Sequence, residues 1–232
     1  MKVFSISDLH LSLCGEKPME IFEGWDNYLE SIRASWLEVV TEDDIVVMAG
    51  DISWAMRLEE FEKDLVFFDD LPGKKVIVRG NHDYWWSSLT KVKTALPKDF
   101  FAIQNNCIRI GDYLFAGTRG WLVPERNMTL KEEDQKILDR EIIRADLSLS
   151  QMNSLRQDSD KVIFVMHFPP FDSQRTFKGF SELFEKYNVD IVIYGHLHGK
   201  NVRALKSENR QGVKYFLTST DQVGHKLVSI CE

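Results

Sequence analysis

A chain of 232 residues that is 44% hydrophobic and 28% charged has enough apolar content to bury a sizeable core, which excludes a disordered polymer. Its formal net charge of −7 excludes the broadly basic surface that holds a protein along nucleic acid, while leaving room for a local cationic site. No run approaches the roughly 18 apolar residues of a spanning helix.

Taken in chain order, residues 3–6 read as a first strand, broken at once by Ser7-Asp8 and so unlike a signal peptide. Trp25, Leu29, Ile32, Trp36 and Val40 recur at helical spacing and predict an amphipathic helix over about 24–40. Residues 45–48 suit a fully buried strand. Leu58, Phe61, Leu65 and Phe68 mark a second helix that ends near Leu71-Pro72-Gly73. Residues 75–78 give a third strand. Leu89, Val92 and Leu96 give a third helix, stopped by Pro97. This β-α-β-α-β-α order is that of a largely parallel sheet with helices against it.

The middle differs. Residues 100–104, 107–110 and 113–116 read as short strands, with a tight hairpin turn at Gly111-Asp112. Residues 130–155 are highly charged and carry Ile137, Leu138, Ile142, Leu149, Met152 and Leu155 on a helical repeat. They predict a surface helix, with Ser148 as the place for a break. Strand 162–166, a helix over about 178–187 and strand 190–194 follow. Segments 202–205, 215–219 and 227–230 then read as antiparallel strands. No repeat or linker divides the chain, so residues 1–232 are read as one domain. Cys14, Cys107 and Cys231 are isolated and odd in number. They read as core or surface thiols of a protein in a reducing cytoplasm.

Five of the six histidines fall in four short motifs, each after an apolar run: Asp8-Leu9-His10, Asn81-His82-Asp83, His167 and His196-Leu197-His198. A fifth motif, Gly50-Asp51, follows residues 44–49. Strand ends are rigid and bring residues far apart in sequence to one crevice. Asp8, His10, Asp51, Asn81, His167, His196 and His198 supply too many nitrogen and oxygen donors for one tetrahedral zinc. They suit two adjacent divalent ions sharing a carboxylate, and without a thiolate those ions are manganese, iron, cobalt, nickel or zinc. In extended backbone, residues i and i+2 project to one side, so each Asp-x-His or His-x-His pair can face one ion. Two aspartates and a bridging hydroxide against two divalent ions leave about one surplus positive charge, which favours an anionic ligand. Metal coordination lowers the pKa of bound water toward neutrality, which gives a hydroxide nucleophile at ordinary pH.

His82 lies beside these donors and suits proton donation to a leaving oxygen. Asp83 either fixes the His82 tautomer or serves as a turn or cap before Tyr84-Trp85-Trp86. Trp54, Tyr84, Trp85, Trp86 and Trp121 either stack on a nucleobase, exclude water from the site, or pack the core and helices. Arg119, Arg126, Arg175 and Lys200 either touch a phosphate or are solvated charge.

Together Asp8-x-His10, Gly50-Asp51, Gly80-Asn81-His82-Asp83, His167 and Gly195-His196-x-His198, in that order over residues 8 to 198, resemble the five signature blocks of the calcineurin-like metallophosphoesterase superfamily. The resemblance implies an α/β fold, a two-sheet sandwich flanked by helices in four layers (α/β/β/α). It implies Asp8, His10, Asp51 and His198 around one ion, and a bridging Asp51 with Asn81, His167 and His196 around the other. It also implies His82 as the acid. Protein serine/threonine phosphatases of the superfamily carry Gly-Asp-x-Val-Asp-Arg-Gly and Gly-Asn-His-Glu, whereas this chain has Gly50-Asp51-Ile52-Ser53-Trp54 and Asp83. The pattern is more like bacterial phosphodiesterases and small-molecule phosphatases. The expectation is hydrolysis of a phosphomonoester or phosphodiester, either a small molecule or a nucleotide. A catalytically silent scaffold and a nuclease are the alternatives.

Overall fold

A computed structural model describes residues 1–13, 15 and 17–232; Cys14 lies outside them. The strands are β1 (Val3–Ser5), β2 (Ile45–Met48), β3 (Lys74–Val78), β4 (Phe100–Ile103), β5 (Cys107–Ile110), β6 (Tyr113–Thr118), β7 (Lys161–Met166), β8 (Ile191–Tyr194), β9 (Ser207–Arg210), β10 (Val213–Leu217) and β11 (Val228–Cys231). The helices are α1 (Tyr28–Val39), α2 (Leu58–Asp64), α3 (Leu89–Ala95), α4 (Glu132–Met152) and α5 (Gly179–Lys186). Two sheets form, in the orders β11-β1-β2-β3-β4 and β5-β6-β7-β8-β10-β9. β1 to β4 pair in parallel, as do β6, β7, β8 and β10, while β11, β5 and β9 close the edges antiparallel.

Strand alternation builds the layers. Ile45, Val47, Ala49, Val76 and Val78 face Ile163, Val165, Ile191 and Ile193 of the second sheet in one apolar cluster. Val46, Met48 and Ile77 face the other way, onto Ile32 and Trp36 of α1 and Phe61 of α2. On the far side, Val162 and Phe164 meet Leu138, Leu149 and Met152 of α4 and Phe180 and Phe184 of α5. Strands buried on both faces read as continuous apolar runs, which is why β2, β3 and β7 stand out in sequence. The four-layer sandwich expected from the sequence is the architecture found.

Some local expectations need correction. α1 begins at Tyr28, because Asn27 is left-handed (φ 51°) and stops the helix from reaching back to residue 24. α4 runs unbroken through Ser148, whose buried hydroxyl donates to the Asn106 carbonyl and accepts the Gly117 amide (both 2.8 Å). Residues 202–205 form no strand. The strand lies just after them, at β9, which is polar and half exposed and so carries no apolar signal. Gln211-Gly212, both at positive φ, turn β9 into β10. The 215–219 segment, expected to be antiparallel, pairs parallel with β8 and antiparallel only with β9. Cys107 and Cys231 are half-buried free thiols. Among the described residues, no helix is long and apolar enough to cross a membrane.

Candidate metal centre

The carboxyl ends of β1, β2, β3, β7 and β8 meet at one edge of the sandwich, and each is followed by one of the sequence motifs. The two sheets are stitched there by hydroxyls. Ser7 Oγ accepts the Ala49 amide (3.0 Å) and lies 2.7 Å from Thr218 Oγ1. Within the first sheet, the buried Ser5 hydroxyl donates to the Val47 carbonyl (2.9 Å).

All seven candidate ligands come together at this edge. Ligand atoms of Asp8, His10 and His198 lie mutually within 4.8 Å, and so do those of Asp8, Asp51 and His167. Asn81 Oδ1 is 2.7 Å from His167 Nε2 and 3.0 Å from His196 Nδ1, and those two nitrogens are 3.2 Å apart. Asp51 Oδ2 lies 3.4 Å from His167 Nε2 and 3.9 Å from His10 Nε2, between the two groups.

The backbone here is not the extended chain expected for Asp-x-His. Asp8 (φ 57°), His10 (φ 50°), Asp51 (φ 51°) and His196 (φ 70°) are all left-handed. Side chains other than glycine rarely adopt this region, and its strain concentrates at functional sites. The turns aim backbone amides at the carboxylates: His196 N–H donates to both oxygens of Asp8 (3.1 Å), and His82 N–H to Asp51 Oδ1 (2.8 Å). The Asp8/His10 and His196/His198 pairs therefore converge through tight turns, not through strand pleating.

The donor chemistry fits a cation. His167 Nδ1–H donates to the Ala49 carbonyl (2.9 Å), so its Nε2 lone pair points at Asn81 Oδ1, an acceptor facing an acceptor. Such a contact is stable only with a proton or a cation between the two. Without a metal, a proton serves. Burial would lower the His167 pKa, but the charge of Asp51 overrides it and raises it to about 9. Burial pushes Asp51 up, yet His167 and His10 outweigh it and hold the carboxyl below its ordinary range. Burial raises Asp8 to about 7, with His167 opposing and Asp51 adding to the rise. Burial lowers His10 and His196 to about 3, leaving neutral imidazoles with free lone pairs. Both ring nitrogens of His10, and Asp51 Oδ2, are buried without any hydrogen-bond partner. Each such orphan costs about 1–3 kcal/mol, which a coordinated cation relieves.

His82 and Asp83 do different things. The His82 ring is half-buried at 4.5 Å from the Trp54 ring and 5.7 Å from His10. Burial lowers its pKa, and its Nδ1 has no partner. Asp83 does not orient that ring. Its buried carboxylate accepts the amides of Asp51 (2.9 Å), Ile52 (2.9 Å), Ser53 (3.2 Å) and Gly80 (2.7 Å), and the Trp85 indole (2.9 Å). It ties the two loops that present Asp51 and Asn81.

Two further features shape the site, of which only the first, Trp54, was singled out in the sequence. Trp54 stacks on His10 (4.7 Å, 19°), with the Lys17 ammonium 5.0 Å above the ring centroid, so it walls the site and offers no open face to a base. Trp85 and Trp86 are core residues, as the packing alternative held, and Tyr84 is exposed beside His82. The second feature is space. A Cβ on Gly80 would collide with Asp51 Oδ1 and the Asp51 amide, and one on Gly195 would stand 2.5 Å from Asp8 Oδ2. Gly80→Ala is expected to displace the Asp51 carboxylate and lower turnover about 100-fold. Steady-state kinetics check this, and near-normal rates would show that the packing tolerates the methyl group. Of the arginine and lysine candidates, Arg175 pairs with Glu208 (2.7 Å), Lys200 with Glu23, and Arg126 is exposed.

A profile described as calcineurin-like phosphoesterase matches residues 1–200. Among solved structures, a Thermus thermophilus protein is similar at 14% identity and TM-score 0.62, covering 99% of this chain and 97% of its own. The phosphopantetheinyl hydrolase of Mycobacterium tuberculosis is similar at 16% identity and TM-score 0.56, over 94% and 88%. The anchor in the inner membrane complex of Plasmodium is similar at 15% identity and TM-score 0.55, over 95% and 72%. At such identities the likeness is one of fold. No curated protein matches the sequence.

Proposed function

This chain belongs to the calcineurin-like phosphoesterase family, and from that premise we propose that it hydrolyses a small phosphomonoester or phosphodiester at a two-cation centre held by Asp8, His10, Asp51, Asn81, His167, His196 and His198. One observation supports the reading: the buried, unpartnered Asp51 Oδ2 has His10 Nε2 at 3.9 Å and His167 Nε2 at 3.4 Å, and the latter faces the Asn81 Oδ1 acceptor at 2.7 Å. Divalent ions, when bound, supply Lewis-acid polarisation of the phosphoryl group and a lowered pKa for water.

The chain's own residues divide the remaining work. Asp51, between the His10 and His167 nitrogens, is placed to be shared. The Ala49 carbonyl fixes His167 in the tautomer that leaves Nε2 free. Asp83 holds the Asp51 and Asn81 loops at a set separation. His82, wedged against Trp54, delivers a proton to the departing ester oxygen. A hollow of about 220 Å³ reaches His196; Leu122, Val123, Phe168, Pro169 and Leu197 give it an apolar wall that suits the organic part of a small ester, and Glu125, Asp172, Ser173 and Arg175 give it a polar one.

The test is hydrolysis of p-nitrophenyl phosphate and bis-p-nitrophenyl phosphate with manganese and with chelator. Turnover of at least one with metal, abolished by chelator, is expected. Absence of turnover on both with manganese, iron, cobalt, nickel and zinc overturns the proposal. His82→Ala is expected to lower kcat by roughly 10²–10⁴-fold at unchanged metal content by elemental analysis. Metal loss in that variant would make His82 a ligand instead.

A further inference from the structure

The same sandwich edge carries a second charged cluster that hydrolysis as described above does not use. Arg79 follows the end of β3, directly before Gly80-Asn81. Arg119 follows the end of β6, and its carbonyl accepts the amides of His167 (3.0 Å) and Phe168 (3.1 Å). With Gln104, Thr118, Glu141 and Arg144 these arginines line a cavity of about 70 Å³.

The charges in it do not balance. Glu141 is buried, and both of its oxygens are committed. Oε1 takes Arg144 (2.5 Å), and Oε2 takes the Thr118 hydroxyl and the Gly120 amide (3.2 Å). Arg144 and Glu141 neutralise each other. Among the described residues, the side chains of Arg79 and Arg119 make no hydrogen bond and no salt bridge, and the Nε of each is buried without a partner. The Arg119 guanidinium lies 4.6 Å over the Trp121 ring, which fixes its position but gives Nε–H no lone pair in its plane. Gln104 spends its Oε1 on the Trp86 indole (3.1 Å), leaving its amide nitrogen uncommitted. The free groups are thus all donors, and two of them are cationic.

Both arginines are half-buried, but a buried, unpaired Nε–H on each is costly, and the planar guanidinium fork matches oxyanions well. The volume exceeds the roughly 30 Å³ of one water and suits a group the size of phosphate. We propose that Arg79, Arg119 and Gln104 form a second oxyanion pocket for a phosphate-type group. That group is either the non-scissile phosphate of a substrate or free inorganic phosphate. The substrate alternative rests on the phosphoesterase reading; the pocket itself does not.

The probe is inorganic phosphate, added to the full chain in chelator and followed by calorimetry and by thermal melting. Phosphate is expected to bind and to raise the Tm of the wild-type protein. Arg79→Gln and Arg119→Gln are each expected to weaken binding at least tenfold, about 1.4 kcal/mol, and to lose the Tm rise. Gln104→Leu, which removes a neutral donor, is expected to weaken binding a few-fold and serves if an arginine variant fails to fold. No phosphate binding by the wild-type protein, or undiminished binding by folded variants, overturns the pocket. With metal-loaded protein, a larger loss of kcat/KM for a diphosphate ester than for p-nitrophenyl phosphate in Arg119→Gln assigns the pocket to substrate. An equal loss assigns it to free phosphate. Phosphate binding without any hydrolysis would sink the phosphoesterase reading and leave the pocket standing.

Discussion

Asp51→Asn is expected to lower metal-dependent hydrolysis by at least about a thousandfold and to strip most of the bound metal. The substitution keeps the shape of the side chain and removes its charge. Asp51 Oδ2 lies near both His10 Nε2 (3.9 Å) and His167 Nε2 (3.4 Å). It is fully buried and has no hydrogen-bond donor of its own. An amide there offers either a weaker neutral oxygen or an N–H that repels a cation. Loss of one preorganised electrostatic group commonly costs on the order of 10²–10³ in rate, and a ligand shared by two ions acts on both. Paired kinetic and elemental analysis of the purified variant checks this. A variant that retained near-normal rate and full metal content would mean that Asp51 is not shared.

Asp83→Ala is expected to cost about 3–5 kcal/mol of stability, a fall in Tm of roughly 6–20 °C for a chain of this size. The reason is the number of donors that depend on one carboxylate. Four backbone amides and the Trp85 indole point at it in a fully buried setting, and alanine leaves all five without an acceptor. The native carboxyl is itself strained: burial first, and then the charge of Asp51, raise its pKa to about 6. The cost of the variant therefore comes chiefly from stranded donors. Because these donors belong to the loops that carry Asp51 and Asn81, metal affinity is expected to fall with stability. Thermal melting with and without added manganese checks both. A change in stability below about 1 kcal/mol would show that water replaces the carboxylate.

The parallel strands and their helices were legible because the central strands are buried on both faces and read as unbroken apolar runs; the four-layer sandwich was implied by the resemblance of the motifs. The seven donors were legible because each follows such a run. What escaped has physical causes. β9 is a polar edge strand, whose stability comes from its pairing with β10 and not from burial of its own side chains. The left-handed conformations at Asp8, His10, Asp51 and His196 depend on tertiary amide-to-carboxylate hydrogen bonds that no local pattern announces. Asp83 sits next to His82 in sequence, and adjacency suggested an orienting partner. In the turn after β3 the two side chains diverge, and Asp83 reaches back to residues 51–53 instead. Arg119 was already a phosphate candidate in the sequence, but its grouping with Arg79 and Gln104 was not legible, because the three follow different strands and only the fold brings them together.

Anomalous diffraction from a manganese-soaked crystal tests the central claim most directly. Two peaks are expected, one on each side of Asp51 Oδ2, with Asp8, His10 and His198 about one and Asn81, His167 and His196 about the other. No peak among these seven side chains in a protein that hydrolyses phosphoesters, or peaks held by other residues, would contradict it.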